Sequence, residues 1–377
     1  MKILPLLAAA LTALACSTAQ PAQSPSAGEE PNVRPSDPTP RGEMTALDAE
    51  PPSVLEGKVI CLDPGHGGTA ETDQYRVGPT GEREEWVNLR VALLLRDMLE
   101  TRGARVLMTR TADVAVGLQE RADLATAHDA DVFLSLHHNA TADTAVNFPI
   151  IYYHGNASEN RGSVALGRAV ARELRAALFA GRGPVSLVSD HVIFPESGTA
   201  VLRHSYGLPG VIGEASFFTN PDEEERLKDP AYNRREAEAY VAALEAFFSR
   251  PGTPPIARKY STGRIPPFRV FQEEERMSEE AKRWLENYRR GLELMETDTP
   301  EARAQAYDLF TLSARSFPDS WVARDCHRHR ALLLEEMGRE EEAARARRRV
   351  REYYVPVDAD RPDPRPAAVK QAGTVRP

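Results

Sequence analysis

Apolar residues between positions 53 and 248 follow two patterns that alternate along the chain. Short apolar runs, typical of buried strands, alternate with longer stretches in which apolar residues recur every three or four positions, as in amphipathic helices. The strand-like runs are 59–62, 106–108, 130–137, 150–153 and 211–214, and the helix-like stretches are 84–102, 117–128, 163–178 and 233–248. This alternation predicts an α/β layered domain over residues 53–250.

An all-helical pattern follows this domain. Residues 251–277 contain a cluster of prolines and are predicted to be a linker, and residues 278–355 are predicted to form a small all-α region. The apolar positions of this region resemble tetratricopeptide-type helical hairpins, although a plain helical bundle fits equally well. We expect it to offer a surface to a protein partner. The proline-rich tail 356–377 is predicted to be disordered.

The first sixteen residues have the pattern of a secretory signal. Lys2 precedes an apolar run from 3 to 14, which is too short to span a membrane stably. The small and apolar residues before Cys16 resemble a bacterial lipobox, which predicts that Cys16 is lipidated. Ser17 behind it indicates sorting to the outer membrane. Simple cleavage near Ala15 is the alternative.

Charge and composition argue against one class of partner and indicate where the protein is located. The 377-residue chain has a net charge of −9 with well-mixed charges, so nucleic acid is not an expected partner. Residues 17–52, rich in Ser, Pro, Ala, Gly and Glu, are predicted to be a disordered linker. The protein is therefore expected in the periplasm, held at the outer membrane through its lipid alone.

A disulfide between Cys61 and Cys326 is not expected, and Cys61 is interpreted as a small core residue.

The apolar run at 59–62 ends in a segment suited to chemistry, Asp-Pro-Gly-His-Gly-Gly at 63–68. Glycines let the backbone turn sharply and approach a ligand closely. We interpret this stretch as a buried strand that delivers His66 into a cleft. A glycine-rich turn whose histidine only bonds nearby backbone is the alternative.

Two further potential ligands stand at the ends of predicted elements. Glu84 opens the first long helix, and His137 ends a strand. Together with His66 they make two imidazoles and one carboxylate, a set that binds catalytic zinc and leaves a fourth position for water. The three residues are far apart in sequence, so spacing alone leaves packing roles open.

Five segments, taken in order, resemble the motifs of one family. They are LDPGHGG at 62–68, REEWVNL at 83–89, TRTAD at 109–113 with Arg121, SLHHN at 135–139, and PGVIGEASFFTN at 209–220. The family is that of the zinc-dependent N-acetylmuramoyl-L-alanine amidases, type 3. The resemblance covers nearly all of residues 57–248, and it implies a mixed, largely parallel sheet flanked by helices. It also implies hydrolysis of the amide between N-acetylmuramic acid and L-alanine in peptidoglycan, during cell-wall remodelling or daughter-cell separation.

The resemblance also implies roles for individual residues. It assigns one Zn²⁺ per catalytic domain to His66, Glu84 and His137, and it makes Glu214 the catalytic carboxylate. Asp63 is a candidate to orient the His66 loop or to accept a hydrogen bond from a ligand's ring nitrogen, with a purely structural turn role as the alternative. Asn139 is a candidate for contacts near the ligands or the substrate, although a backbone bond that fixes its loop is the favoured interpretation.

Several neighbouring residues compete for these roles. The family's glutamate stands five residues before Leu89, which selects Glu84 and leaves Glu85 as an expected solvated residue of the first helical turn. His138 is expected to point to the opposite face of its strand from His137. Arg110, Asp113 and Arg121 are expected to form a scaffold. Four isolated histidines within residues 53–250 are expected at the surface or in packing, and they are His128, His154, His191 and His204.

Two other functions are compatible with the same residues. A zinc peptidase that trims cell-wall peptides would use the same ligands, and only its products would differ. A non-catalytic wall-binding lipoprotein would tolerate loss of a ligand or of the catalytic glutamate. Because all four residues are present, the sequence favours an enzyme.

Overall fold

The computed structural model describes residues 52–71, 76–257, 265–297 and 299–358. The predicted signal peptide with Cys16, almost all of the linker 17–52 and the tail beyond 358 lie outside these residues. What the sequence predicts for them stays a prediction.

Within the described residues, six strands form one sheet. They are β1 (Val59–Pro64), β2 (Arg105–Met108), β3 (Val132–Asn139), β4 (Ile150–Tyr153), β5 (Ser186–Ser189) and β6 (Gly210–Phe217). Their spatial order is β2-β1-β3-β6-β4-β5. Every neighbouring pair is parallel except β4 and β6, which run in opposite directions. The predicted mixed, largely parallel sheet is confirmed, and β5 is a strand that the apolar pattern did not reveal.

Helices flank this sheet and then continue alone to the end of the described chain. The first six are α1 (Glu84–Thr101), α2 (Leu118–Ala127), α3 (Arg161–Leu178), α4 (Ala200–His204), α5 (Pro221–Leu227) and α6 (Pro230–Phe248). The others are α7 (Glu273–Arg276), α8 (Glu279–Lys282), α9 (Trp284–Met295), α10 (Pro300–Ser316), α11 (Ala323–Glu336) and α12 (Glu340–Tyr353). The predicted helical C-terminal region is confirmed.

Local sequence explains where several of these helices begin. A side chain with an oxygen acceptor precedes the first turn and binds a free backbone N–H there, which stabilises the helix start. Asn220 accepts from Glu223 N at the start of α5, and Asp229 accepts from Ala231 N at the start of α6. Both helices have proline in the first position, where its missing N–H costs nothing.

The two faces of the sheet bury different sets of side chains. Successive residues of a strand point to opposite faces, so Ile60 and Leu134 join one apolar cluster while Cys61 and Phe133 join another. The first cluster is completed by α1, α3 and α6. The second receives side chains from α2 and α4, and the strands of both clusters are therefore covered on two sides.

The C-terminal helices complete the second face of the sheet. Phe310 of α10 and Phe317 after it belong to the same buried cluster as Ile150, Tyr152 and other sheet residues. The ring of Phe317 lies 6.0 Å from that of Phe148, and Tyr152 donates its hydroxyl hydrogen to Asp319. The helical region therefore shares a core with the sheet.

The end of the described chain also covers an edge of the sheet. β5 is an edge strand, and exposed strand edges invite unwanted pairing with other chains. Val188 forms an antiparallel bridge with Tyr354, and Val355 N donates to Leu187 O at 2.9 Å. Asp358 then pairs with Arg175 of α3 at 2.7 Å. These contacts close the edge with backbone from the C-terminal region.

The predicted division into an amidase domain (53–250), a linker (251–277) and a helical domain (278–355) stays a prediction. The segment assigned to the linker contains α7 and buries Val270 and Phe271. Residues 356–358, which were assigned to the disordered tail, include the buried Val357. The domain boundaries predicted from the positions of the prolines therefore fall within packed residues.

Two cysteines lie among the described residues, and neither is exposed to solvent. Cys61 and Cys326 are free and buried, and burial raises the pKa of each thiol to about 12. Both thiols therefore stay protonated and unreactive at neutral pH. Among the described residues, no helix is both long and apolar enough to cross a bilayer.

We expect a fragment of residues 52–250 to unfold at a lower temperature than a fragment of residues 52–358. The shorter fragment uncovers Ile150, Tyr152 and Phe217, and each large apolar side chain contributes about 1.5–3 kcal/mol when buried. Thermal unfolding followed by circular dichroism measures the difference, with the full chain as reference. Equal unfolding temperatures for the two fragments would show that the helical region is energetically separate.

Candidate active site

The loop after β1 brings His66 to the carboxyl ends of β1 and β3. His66 has a backbone φ of 59°, a left-handed conformation that is uncommon for a residue with a side chain. Gly65 lies against the ring of His137, where an added Cβ would come within 2.2 Å of ring atoms. Only glycine fits at position 65, because the loop and the His137 ring occupy adjoining space.

Two buried arginines hold this loop through its carbonyl oxygens. Arg121 donates to Pro64 O at 3.0 Å and to His66 O at 2.7 Å. Arg110 donates to Pro64 O and to Gly65 O, both at 2.8 Å. Fixed donors of this kind hold the left-handed turn in place despite its backbone strain. The predicted scaffold role of these arginines is confirmed.

Asp63 anchors the same network from the strand. Its carboxylate accepts from Arg121, from Thr109 Oγ1 and from Ser135 Oγ, each at 2.7 Å. These three donors account for both oxygens of the carboxylate, and none of the hydrogen bonds that Asp63 makes among the described residues is to a histidine ring. The structure therefore favours the role of orienting the His66 loop over that of a partner for a ligand's ring nitrogen.

The three residues proposed from the sequence as a ligand set converge at this place. Glu84 Oε1 lies 3.1 Å from His66 Nε2 and 3.0 Å from His137 Nδ1. The two imidazole rings meet edge to face, with centroids 4.6 Å apart. One donor atom from each residue lies within 4.8 Å of the other two, which makes the group a candidate metal site.

Electrostatics keep Glu84 ionised. Burial acts to raise its pKa, but the charges of His66 and His137 and their hydrogen bonds outweigh burial, so the pKa lies well below the usual range. Arg76 adds a further positive group, with Nη1 3.3 Å from Glu84 Oε2. A carboxylate that stays charged at all physiological pH values is suited to hold a cation.

Glu214 faces the same site from the neighbouring strand. It pairs in register with His137, since β3 and β6 run side by side. Its Oε2 is covered and accepts no hydrogen bond from the described residues. Burial raises the pKa of Glu214 to about 7, with His137 opposing the rise and the negative charge of Glu84 adding to it. The site thus contains two carboxylates whose pKa values are shifted in opposite directions, as in sites that divide acid and base roles.

A buried layer beneath Glu84 supports it. His138 points to the other face of β3, as expected, and its ring nitrogens contact Asn88 at 2.9 Å and Glu236 at 3.1 Å. Asn88 also donates to Gly65 O at 3.3 Å, which connects this layer to the His66 loop. Neither Asn88 nor Glu236 was predicted from the sequence. The position of Asn88 one helical turn after Glu84 was the available signal.

One expectation about a neighbouring residue was wrong. Glu85 is not solvated: it is fully buried and accepts a hydrogen bond from Arg83 Nε at 2.6 Å. The first turn of α1 lies against the end of the sheet, so both of its carboxylates are covered. His154 and His191, which were expected at the surface or in packing, both lie buried beside Asp190.

The other two histidines and two asparagines near the site have the environments that the sequence predicts. His128 and His204 are exposed. Asn139 accepts a hydrogen bond from Ala140 N at 2.8 Å, and Asn220 donates to Thr144 O at 2.9 Å. Both asparagines therefore fix their loops through backbone bonds.

Comparison with known proteins is consistent with this geometry. Residues 60–246 match the type 3 amidase family model, described as N-acetylmuramoyl-L-alanine amidase. The germination-specific N-acetylmuramoyl-L-alanine amidase of Bacillus subtilis is 30% identical over 216 residues, which cover 53% of this chain and 84% of that protein. The chain belongs to the N-acetylmuramoyl-L-alanine amidases. It is thus an amidase enzyme, and the expectation of an enzyme is confirmed.

Two further relatives align with a similar share of the chain. The amidase AmiA of Escherichia coli is 28% identical over 229 residues, which cover 51% of this chain and 76% of AmiA. A crystal structure of an N-acetylmuramoyl-L-alanine amidase from Clostridium difficile 630 aligns with 52% of this chain at 28% identity and a TM-score of 0.45. The residues matched by the family model end at 246, before the C-terminal helices of this amidase begin.

We expect Asp63→Asn to destabilise the amidase by about 3–5 kcal/mol, because the change leaves Arg121 buried without its anion. Urea unfolding measures this loss. Asp97→Asn is the matched control, since Asp97 forms an exposed pair with Arg96 and its loss should cost less than about 1 kcal/mol. Equal losses in the free energy of unfolding for the two variants would mean that Asp63 does not stabilise the His66 loop.

Proposed function

We propose that this amidase uses zinc to hydrolyse the amide bond between N-acetylmuramic acid and L-alanine in peptidoglycan. The observation that carries the proposal is the convergence of His66, Glu84 and His137, whose donor atoms lie within 4.8 Å of one another. The family to which the chain belongs supplies the reaction class. The geometry supplies the residues that would perform it.

The donor set fits zinc. Zn²⁺ takes imidazole nitrogen and carboxylate oxygen at about 2.0–2.2 Å in a tetrahedron, so its ligand atoms lie about 3.3–3.6 Å from one another, close to the separations seen here. The distances from Glu84 Oε1 to His66 Nε2 and His137 Nδ1 are 3.1 and 3.0 Å. Gly65 and the two arginines hold one histidine, and the regular pairing of β3 holds the other. When bound, zinc supplies Lewis acidity that polarises the scissile carbonyl and activates water.

Glu214 is the proposed general base. Its side chain faces His137 across the pairing of β3 and β6, and one of its oxygens accepts no hydrogen bond from the described residues. A carboxylate in that state can take a proton from the attacking water and return it to the nitrogen of the leaving L-alanine. The rigid strand keeps the carboxylate in one position during both transfers.

We expect Glu214→Gln to keep its zinc and to lose about 100- to 10,000-fold in turnover, because glutamine cannot accept the proton. Glu84→Ala should lose the zinc ion of the catalytic group as well as activity. The exposed His128→Ala is the control and should change neither. Zinc content and turnover on peptidoglycan are measured on the same folded preparation, with products identified by mass spectrometry.

The products separate the proposal from its rivals. Stem peptides with a free L-alanine amino terminus are expected for an amidase, whereas cuts within the stem peptide would indicate a peptidase. Near-wild-type turnover of Glu214→Gln would exclude Glu214 as the base. Full zinc occupancy in Glu84→Ala would overturn the ligand set.

We further propose that the enzyme acts in the periplasm, anchored to the outer membrane by a lipid on Cys16, in wall remodelling or daughter-cell separation. The support is the N-terminal sequence, in which an apolar run and small residues precede Cys16. A peptidoglycan substrate requires a location outside the cytoplasm, and a lipid anchor would hold the enzyme beside the wall.

Cys16→Ser should release the amidase from the membrane fraction, because serine cannot take the thioether-linked lipid. Fractionation of cells that express each form, followed by immunoblotting, measures the distribution. A Cys61→Ser variant retains Cys16 and should remain with membranes. Co-sedimentation of Cys16→Ser with outer membranes, to the same extent as wild type, would contradict the lipid anchor.

A further inference from the structure

Strand carboxyl ends lie at both ends of the sheet, because two of its strands run against the others. The proposed catalytic group lies at only one of these ends. β4 and β5 are parallel to each other but run against the neighbouring β6. Their carboxyl ends therefore lie at the edge opposite to the ends of β1, β3 and β6. His154 follows β4 directly, and Asp190 and His191 follow β5 directly. Because the ends of adjacent parallel strands meet at one edge, these three side chains come together there.

The three side chains form a compact and buried cluster. His154 is 3% exposed, Asp190 0% and His191 9%. His154 Nδ1 lies 2.8 Å from Asp190 Oδ2, and the two imidazole rings have centroids 5.3 Å apart. One donor atom from each residue lies within 4.8 Å of the other two, as in the catalytic group.

The carboxylate of Asp190 is oriented but not fully satisfied. Its Oδ2 accepts from Thr199 N at 2.8 Å and from Thr199 Oγ1 at 2.9 Å. Its Oδ1 is covered and accepts no hydrogen bond from the described residues. A hydrogen-bonded pair with His154 would leave this second oxygen desolvated and without compensation, which is costly for a buried anion. A bound cation would compensate it.

The surroundings of His191 suit a metal ligand. Its Nδ1 lies 3.3 Å from Pro195 O, so a neutral ring that donates from Nδ1 carries its lone pair on Nε2. Histidine ligands commonly donate their other ring nitrogen to a backbone carbonyl in this way. The ring of Tyr353 from α12 stacks on His191 at 5.8 Å and 13°, which covers the cluster from the C-terminal region.

From this geometry we propose that His154, Asp190 and His191 bind a second divalent transition-metal ion of the class that accepts imidazole and carboxylate, such as Zn²⁺. The site is separate from the catalytic one. Ile150 at the start of β4 pairs with Glu214, whereas His154 follows the end of the same strand, about 13 Å further along at about 3.3 Å per residue. The ion joins the ends of β4 and β5 beneath α12, and its role is to stabilise that edge.

Metal content of the full chain tests this proposal. Each form is stripped with a chelator, loaded with Zn²⁺ alone, dialysed and analysed for bound zinc per chain. We expect about two ions in wild type and in His204→Gln, which removes an exposed histidine outside both groups. Asp190→Asn and His191→Gln should each bind about one. Wild-type zinc content in both of these variants would overturn the second site.

The Glu84→Ala variant separates this proposal from the proposed catalytic site. It should keep about one ion, and Zn²⁺ at about 100-fold excess over its dissociation constant should raise its unfolding temperature by about 5–10 °C. That rise should vanish when Asp190→Asn is added. If Glu84→Ala loses all zinc and gains no thermal stability from Zn²⁺, the second site does not exist. If instead it keeps two ions, the catalytic ligand set is wrong. Should Asp190→Asn fail to fold, His191→Gln at the rim of the cluster gives the same comparison.

Discussion

One carboxylate oxygen organises the catalytic end of the molecule. Glu84 Oε1 lies about equally far from a nitrogen of His66 and a nitrogen of His137, although the three residues come from a loop, a helix and a strand. Such a contact tolerates little displacement, because hydrogen bonds and metal bonds both weaken steeply with distance and angle. The left-handed turn at His66 and the bare backbone at Gly65 are consequences of this requirement, and the buried arginines maintain them.

The supporting structure extends well beyond the residues that resemble the family. One face of the sheet is covered by helices within residues 84–248. The face that carries Ile150, Tyr152 and Ile212 receives side chains from α2 and α4 but is completed by the C-terminal helices. The strand that bears Glu214 has residues on both faces. Its rigidity, and so the position of the proposed base, therefore depends on packing from a part of the chain that contains none of the catalytic residues.

Much of this arrangement could be predicted from the sequence, and the failures have physical causes. His66, Glu84, His137 and Glu214 stand at the ends of strongly patterned elements, so motif and periodicity placed them at one edge. Glu85 was misjudged because its charge indicated solvent, whereas α1 begins against the sheet and Arg83 supplies the counter-ion. The cluster of His154 and His191 could not be predicted, because only the order of strands in the sheet brings the ends of β4 and β5 together. β5 was missed because two of its four residues are serines, so it lacks the apolar run that marks the other strands.

The closure of the β5 edge by residues near Tyr354 has a consequence for how the molecule matures. The last sheet partner is supplied by the far end of the described chain, so the contact is non-local and its formation is slow compared with local helix formation. If the chain leaves the cytoplasm with its N-terminus first, as the predicted signal implies, the catalytic residues emerge while the sheet still lacks its final cover. The edge of β5 would then stay open to pairing with other chains until the residues around Tyr354 have been delivered.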